Sequence, residues 1–251
     1  MNPRIHSLTA PARRDAARVF RSLGAALVLA VLAGCAAGPY PNAADPFEGF
    51  NRGVSRFNDT VDDAVLVPVA TAYRQVLPSP VRTGVNNFFN NLGDVWNFAN
   101  SVLQLKAQHS AETFMRLNVN TFFGLGGVID VASELGIDRH NEDFGQTLGR
   151  YGVPSGPYVV LPVFGPSTLR DTAALPVDIR GDLVDYIHDI PVRNSLYVLR
   201  VVDTRSNYLR ATQLLGDAAL DKYSFTRDAF LQRRRSEVYD GNPPDDGAGN
   251  D

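Results

Sequence analysis

From Asp45 onward the apolar positions recur at three- and four-residue steps, the spacing of one face of an α-helix. Phe47, Phe50, Val54, Phe57 and Val61 form the first stripe, opened by Asp45 as N-cap and Pro46 at the first helical position. Gly49 and Gly53 lie on a neighbouring face, where they would permit close approach of another element. A short apolar piece, Val65 to Ala70, is interrupted by Pro68, and Ala70 to Leu77 forms another short helix before Pro78. Ser79 and Pro80 then start a stripe of Val81, Val85, Phe88, Phe89 and Leu92, opposed by Asn86, Asn87, Asn90 and Asn91. Gly93 is expected to end this helix and Asp94 to open the next, which carries Val95, Trp96, Phe98, Ala99, Val102 and Leu103. A helix capped by Ser110 runs to about Phe123, where Gly124, Gly126 and Gly127 break it, and a short helix from Val128 to Leu135 stops at Gly136. Near the C-terminus, Ser167 to Ala174 and Ile179 to His188 read as short helices separated by Pro176. Pro191 opens a longer one that buries Leu196, Leu199, Val202 and Leu209. The last helix follows Leu220 or Asp221, with Phe225, Ala229 and Phe230 inward and Arg227 and Arg233 to Arg235 in solvent. There is no fixed-period repeat. The pattern predicts a mainly α fold, a compact bundle of amphipathic helices with little or no sheet.

One stretch breaks the helical rhythm. Between Asn141 and Asp171, Gly145, Gly149, Gly152 and Gly156 are spaced four, three and four apart, which on a helix places the first three on one face. Asn141 is the expected N-cap, with Glu142 and Asp143 in the first turn, where negative charge suits the helix dipole. Each glycine costs a helix about 1 kcal/mol against alanine, so the stripe calls for a compensating contact, most simply another backbone packed against it. Pro154, Pro157, Pro162 and Pro166 exclude a continuing helix, so Tyr158 to Leu161 should run extended, and Ser167 should cap the next helix. The residues alone leave two roles open: a tightly packed Gly/Pro-rich crossover, or the wall of a binding cavity formed by Gly145, Gly149, Gly152, Gly156 and Tyr158.

The first 35 residues have a different character. Arg13, Arg14, Arg18 and Arg21 precede the apolar run Leu23 to Ala33, the layout of an export signal and too short for a bilayer span of about 20 residues. The run ends in Leu32-Ala33-Gly34-Cys35, a pattern similar to the lipobox at which cysteine becomes the acylated first residue of a bacterial lipoprotein. Cys35 is the sole cysteine, so no intramolecular disulfide forms. Loss of residues 1–34 removes five arginines and one aspartate, leaving 19 basic and 26 acidic groups and a net charge near −7. That balance gives no basic field for nucleic acid. Residues 36–44 can reach only about 30 Å, at roughly 3.6 Å per residue, which keeps the domain of residues 45–239 at the bilayer surface. Residues 240–251 read as a disordered acidic tail.

Charge is also scarce from Val85 to Leu105, where Asp94 stands alone. Two explanations remain: core helices with an amide-rich outer face, or helices in the membrane interface, where Phe88, Phe89, Trp96 and Phe98 would be at home. Catalytic chemistry finds little support. No G-x-S-x-G elbow or phosphate-cradling loop occurs, and His109, His140 and His188 stand in separate segments without metal-ligand spacing. A spatial triad of Ser167, His140 and Asp171 stays open, although a capping role explains Ser167 more simply. The pattern predicts a non-enzyme with no cofactor and no metal.

Four segments together resemble one known family. DPFEGFNR at Asp45 to Arg52, NTFFGLGGVIDVA at Asn120 to Ala132, FGQTLGRYGVPSGPYVVLPVFGPSTLRD at Phe144 to Asp171 and DKYSFTRDAFLQRR at Asp221 to Arg234 are similar to the motifs of the MlaA (VacJ) outer-membrane lipoproteins, in order over residues 45–237. The resemblance implies a helical ring in the inner leaflet of the outer membrane, beside a trimeric porin. It also implies transfer of mislocalised outer-leaflet phospholipid to a periplasmic lipid carrier, which maintains lipid asymmetry. The alternative is a lipid-anchored scaffold that joins a porin to periplasmic partners and moves no lipid. Either role needs the anchor. Cys35→Ser should be exported but lost from the outer membrane and should fail to complement a deletion strain; normal fractionation with full complementation would make the acyl anchor dispensable.

Overall fold

The computed structural model describes residues 44–244; the export signal, Cys35, most of the linker and the end of the acidic tail lie outside the described residues. Helix α1 (Glu48–Val61) passes through a π-helical turn (Asp62–Leu66) directly into α2 (Val67–Val76). Pro68 therefore does not break the chain: it falls at the start of α2, just after the wider turn has shifted the hydrogen-bond register. Helix α3 (Ser79–Leu103) is one 25-residue element. The expected stop at Gly93 is absent, because a helix interior tolerates glycine when its flanks are anchored, and Asp94 beside it is fully buried in an ion-pair network. Then come α4 (Ala107–Phe122), α5 (Val131–Glu134), α6 (Phe144–Arg150), the strands β1 (Tyr158–Leu161) and β2 (Gly165–Thr168), α7 (Leu169–Gly181), a 3₁₀ turn (Leu183–Tyr186), α8 (Ile190–Ala218) and α9 (Lys222–Val238).

Several caps differ from the sequence expectation. Helix α4 starts before Ser110, whose hydroxyl donates back to the Lys106 carbonyl. Asp143, not Asn141, caps α6, and Thr168, not Ser167, caps α7. Helix α7 continues through Pro176, and Gly53 faces open space rather than a neighbouring backbone.

Packing contacts run in a closed circuit. Helix α1 lies on β1, α2 on α8, α8 on α3, α3 on α6, α6 on α9 and α9 on β2. Antiparallel pairing of Tyr158 with Thr168 and Leu161 with Gly165 joins β2 to β1 and closes the ring. The seam between α1 and β1 is made by two asparagines seven residues apart, hence on one helix face. Asn51 donates to the Tyr158 carbonyl at 3.0 Å and accepts from the Val160 amide at 2.9 Å. Asn58 repeats the pattern, donating to Leu161 O at 3.0 Å and accepting from Val163 N at 2.8 Å. The two amides thus pair with the free edge of β1 as a neighbouring strand would.

The distribution of polarity is inverted. Among the described residues 10 apolar side chains are buried against 21 polar or charged ones, so the helices turn their polar faces toward one another. Asn86 and Tyr73 donate to Asp203, Asn91 donates to Thr121, and Arg116, 1% exposed, forms a fork with both oxygens of Asp130 at 2.8 and 2.9 Å. In the amide row of α3 Asn91 is buried and Asn86, Asn87 and Asn90 are half-buried, and all four donate hydrogen bonds, so the row is not a solvated outer face. Apolar side chains lie outside: Leu105, Phe122, Phe123 and Leu125 are 82%, 76%, 75% and 73% exposed. The α9 expectation reverses in part: Phe225 and Ala229 are exposed while Arg227 and Arg234 are buried with carboxylate partners, whereas Phe230 packs inward and Arg233 is exposed as expected. A small apolar cluster of Tyr158, Val160 and Tyr223, joined by Val54, Phe230 and Leu231, sits under the β1 seam.

Two outcomes follow. Asn51→Leu leaves the Tyr158 carbonyl and Val160 amide buried without partners, at a cost of about 1–3 kcal/mol each, and should lower the unfolding temperature in detergent by several degrees. An unchanged unfolding temperature would mean that the seam carries no stability. Burial pulls the Asp130 carboxyl up, but hydrogen bonds from Ser133 and Asn120 and the charge of Arg116 overcome this and hold it at about 2. A depressed folded value contributes stability above the ordinary 3.8, lost as the pH falls toward 2. Asp130→Asn should therefore be less stable than wild type at pH 7, with the two unfolding temperatures converging near pH 2; a constant gap would exclude the carboxylate charge as the cause.

Candidate functional site

The Gly/Pro-rich stretch, α7 and α9 line a cavity of about 750 Å³. Helix α6 is short because Pro154 and Pro157 follow it; Gly152, at φ +85°, takes the left-handed conformation that ends it. Of the glycine stripe only Gly145 and Gly149 therefore share a helix face, and what they meet are side chains rather than a backbone. A Cβ on Gly145 would lie 2.5 Å from Asp171 Oδ1 and 2.6 Å from Arg234 Nη2. On Gly149 it would lie 2.5 Å from Arg170 Nη1 and 2.9 Å from Val238. The glycines make room for two guanidinium groups. Gly156, at φ +67°, turns the chain toward β1 with Leu169 alongside, while Gly152 meets nothing within 4 Å. Gly149, Gly152 and Gly156 line the cavity; Gly145 lies behind it, and Tyr158 belongs to the apolar cluster under the seam.

Arg234 holds this corner together. Its guanidinium reaches both oxygens of Asp143 at 2.6 Å and both of Asp171 at 2.8 and 3.0 Å, tying α9 to the cap of α6 and the first turn of α7. Burial alone would lower its pKa, but Asp143 and Asp171 more than offset that and raise it above the ordinary value. Asp171 shifts the other way: burial raises its carboxyl, and Arg234 and Arg170 bring it below the usual range. Sequence reasoning placed Arg234 in solvent with Arg233 and Arg235; a run of charge on a helix with no pattern partner gives no signal of burial.

The aromatic candidates divide between the inside and the outside. Trp96 donates to Asp178 at 2.8 Å, and the same oxygen accepts the Phe144 amide, so the indole ties α3 to α6 and α7. Its ring occupies the space that a side chain at Gly181 would need. Phe89 is buried edge-on to Phe88, with Arg200 over its face at 5.9 Å. Phe88 lines a shallow apolar groove with Val81, Gly84 and Val128, and Phe98 packs on Phe114, which is half exposed.

Ser167, His140 and Asp171 do not hydrogen-bond one another: Ser167 bonds Thr172, His140 bonds Glu112, and Asp171 bonds arginines. The structure does bring His109 and His140 together, stacked at 3.7 Å, a contact invisible in the sequence because 30 residues separate them. His109 Nδ1 and carboxylate oxygens of Glu142 and Asp240 lie within 4.8 Å of one another, but Lys106 Nζ already bridges the two carboxylates at 2.8 and 2.5 Å. Its ammonium supplies the positive charge a cation would bring.

Known proteins place this architecture. The family model for MlaA lipoprotein matches residues 43–237. The intermembrane phospholipid transport system lipoprotein MlaA of Escherichia coli (strain K12) is 36% identical over 220 residues, covering 83% of this chain and 84% of its own length. Its namesake in Haemophilus influenzae is 34% identical over 209 residues, 78% of this chain and 80% of its own. A solved structure described as the structural basis for maintenance of bacterial outer membrane lipid asymmetry superposes with a TM-score of 0.67 at 36% identity, covering 79% of this chain and 99% of that one. The motifs, the helical ring and these matches over most of its length agree: this chain belongs to the MlaA lipoprotein family.

Proposed function

We propose that this protein is the outer-membrane lipoprotein of a phospholipid transport system. Anchored through Cys35 on the periplasmic side, it removes phospholipid mislocalised to the outer leaflet and passes it to a periplasmic lipid carrier, with an outer-membrane porin as neighbour. The observation that carries this reading is the inverted polarity. Apolar surface as exposed as Phe122, Phe123 and Leu125 costs roughly 25 cal/mol for each Å² left in water, a cost removed when hydrocarbon surrounds it. Polar and charged groups turned inward line the opposite environment, so the ring separates hydrocarbon from a polar interior. A phospholipid needs both. No described helix is long and apolar enough to cross a membrane, which fits a ring of amphipathic helices lying in one leaflet. Phe88 and Phe98 belong to the lipid-facing side, while Phe89 and Trp96 brace the ring from within. Gly149, Gly152 and Gly156 contribute to the wall of the lipid path.

A tryptophan reporter at Phe122 in a Trp96→Phe background tests the placement. Its fluorescence in liposomes should be quenched more strongly by brominated acyl chains than by acrylamide, and the reverse order would put this face in water. Loss of the gene should raise outer-leaflet phospholipid, and native mass spectrometry of the detergent-extracted protein should find bound phospholipid. A passive scaffold would retain none.

A further inference from the structure

The walls of the 750 Å³ cavity carry three arginines, Arg170, Arg234 and Arg235, and no carboxylate. This is unexpected in a chain whose acidic groups outnumber its basic ones. The acids that balance Arg170 and Arg234, Asp143 and Asp171, are not part of the cavity lining. The arginines are not equivalent. Arg234 is fully engaged by Asp143 and Asp171. Arg170, 8% exposed, gives its Nε and Nη2 edge to Asp171 at 3.0 Å, whereas among the described residues Nη1 has only the Val153 carbonyl at 3.5 Å, the outer limit of a hydrogen bond. Gly149 makes room for that edge, since a Cβ there would lie 2.5 Å from Nη1. Among the arginines the lining also carries apolar side chains, Val153, Pro154, Leu231 and Val238.

From this geometry we propose that Arg170 is the phosphate-recognising residue of a phospholipid headgroup subsite. The cavity, larger than a headgroup alone, takes the phosphate and glycerol, with the apolar side chains receiving the first carbons of the acyl chains. A guanidinium held by a carboxylate on one edge and by one long hydrogen bond on the other can exchange that weaker bond for a phosphate without reorienting. Its partial neutralisation by Asp171 keeps the contact weak enough for release, as a carrier requires. The Ser155 and Thr168 hydroxyl-bearing residues complete the polar side of the lining. The subsite would read the phosphate common to all phospholipids, so phosphatidylethanolamine and phosphatidylglycerol should both bind, and a lipid with the same tails but no phosphate should not.

This inference rests on the lipid-carrying reading above, and one experiment separates the two. The full-length lipoprotein in detergent is offered dioleoylphosphatidylglycerol, dioleoylphosphatidylethanolamine, dioleoylglycerol or inorganic phosphate, and bound lipid is counted by native mass spectrometry beside the unfolding temperature. Wild type should retain both phospholipids at least tenfold better than dioleoylglycerol. Arg170→Gln should lower phospholipid retention about tenfold, the scale of one charge-assisted hydrogen bond, and leave the weak dioleoylglycerol signal unchanged. Gln232→Trp, an exposed cavity-lining position on α9, fills the space without touching the Arg170–Asp171 pair and should also lower phospholipid retention at wild-type stability. Arg170→Lys should recover part of the loss. Lipid retention without headgroup preference, or wild-type retention in both Arg170→Gln and Gln232→Trp, overturns the subsite alone. Displacement of phospholipid by millimolar inorganic phosphate would assign the pocket to a free anion and overturn the lipid assignment. A wild type that retains no lipid of any kind overturns both readings.

Discussion

Arg234 grips Asp143 and Asp171 with all three of its nitrogens, and the geometry of the Gly/Pro-rich crossover follows from that grip. The two aspartates are at or next to the N-termini of α6 and α7, so one guanidinium fixes where both helices begin. Breaking a buried pair by removing one partner typically costs 3–5 kcal/mol, because the remaining charge cannot reach water. Gly145 must be bare for Arg234 to fit, and Gly149 must be bare for Arg170, so the glycine spacing is set by arginines 20 to 90 residues away. The same constraint recurs around the ring. Arg116 with Asp130, Asp203 with Tyr73 and Asn86, and Lys106 with Glu142 each join elements that the apolar core, a cluster of three buried residues with three partly buried neighbours, is too small to hold.

A polar interior of this kind changes what stabilises the fold. In water, amphipathic helices associate by hiding their apolar faces. Here the apolar faces point out and the helices meet through amides, carboxylates and guanidinium groups, whose hydrogen bonds are strengthened when hydrocarbon rather than water surrounds the ring. The seam of Asn51 and Asn58 against β1 belongs to this logic: a free strand edge beside a membrane would leave peptide groups unpaired, and the two amides cover it. Function and fold therefore draw on one arrangement. The fold that satisfies its own polar groups also carries a cavity with an arginine-lined wall, lined in part by Ala44, where the described chain begins.

Much of this was legible in the chain. The three- and four-residue steps mark the helices, the prolines after Gly152 force the extended run at Tyr158, and the ordered motifs identify the family; all of these depend on neighbours within a few positions. The sequence also located the crossover and its glycines, because four glycines at near-helical spacing are costly enough to require a reason. What those glycines face was not legible. Gly145 and Gly149 looked like a backbone-packing stripe, and only the fold brings Arg170 and Arg234 against them. Periodicity likewise separates a helix into two faces without saying which is inside. The asparagine row of α3 and the arginines of α9 read as solvent-facing because water is the usual surroundings of a charged side chain, and a sequence carries no mark of its solvent. Local propensity and pattern thus determined that this protein is helical and of one family. The burial of its charges, the outward turn of its phenylalanines and the single cavity corner built from α6, α7 and α9 were decided by tertiary structure, since each depends on partners far apart in sequence whose pairing outweighs the ordinary preference for water.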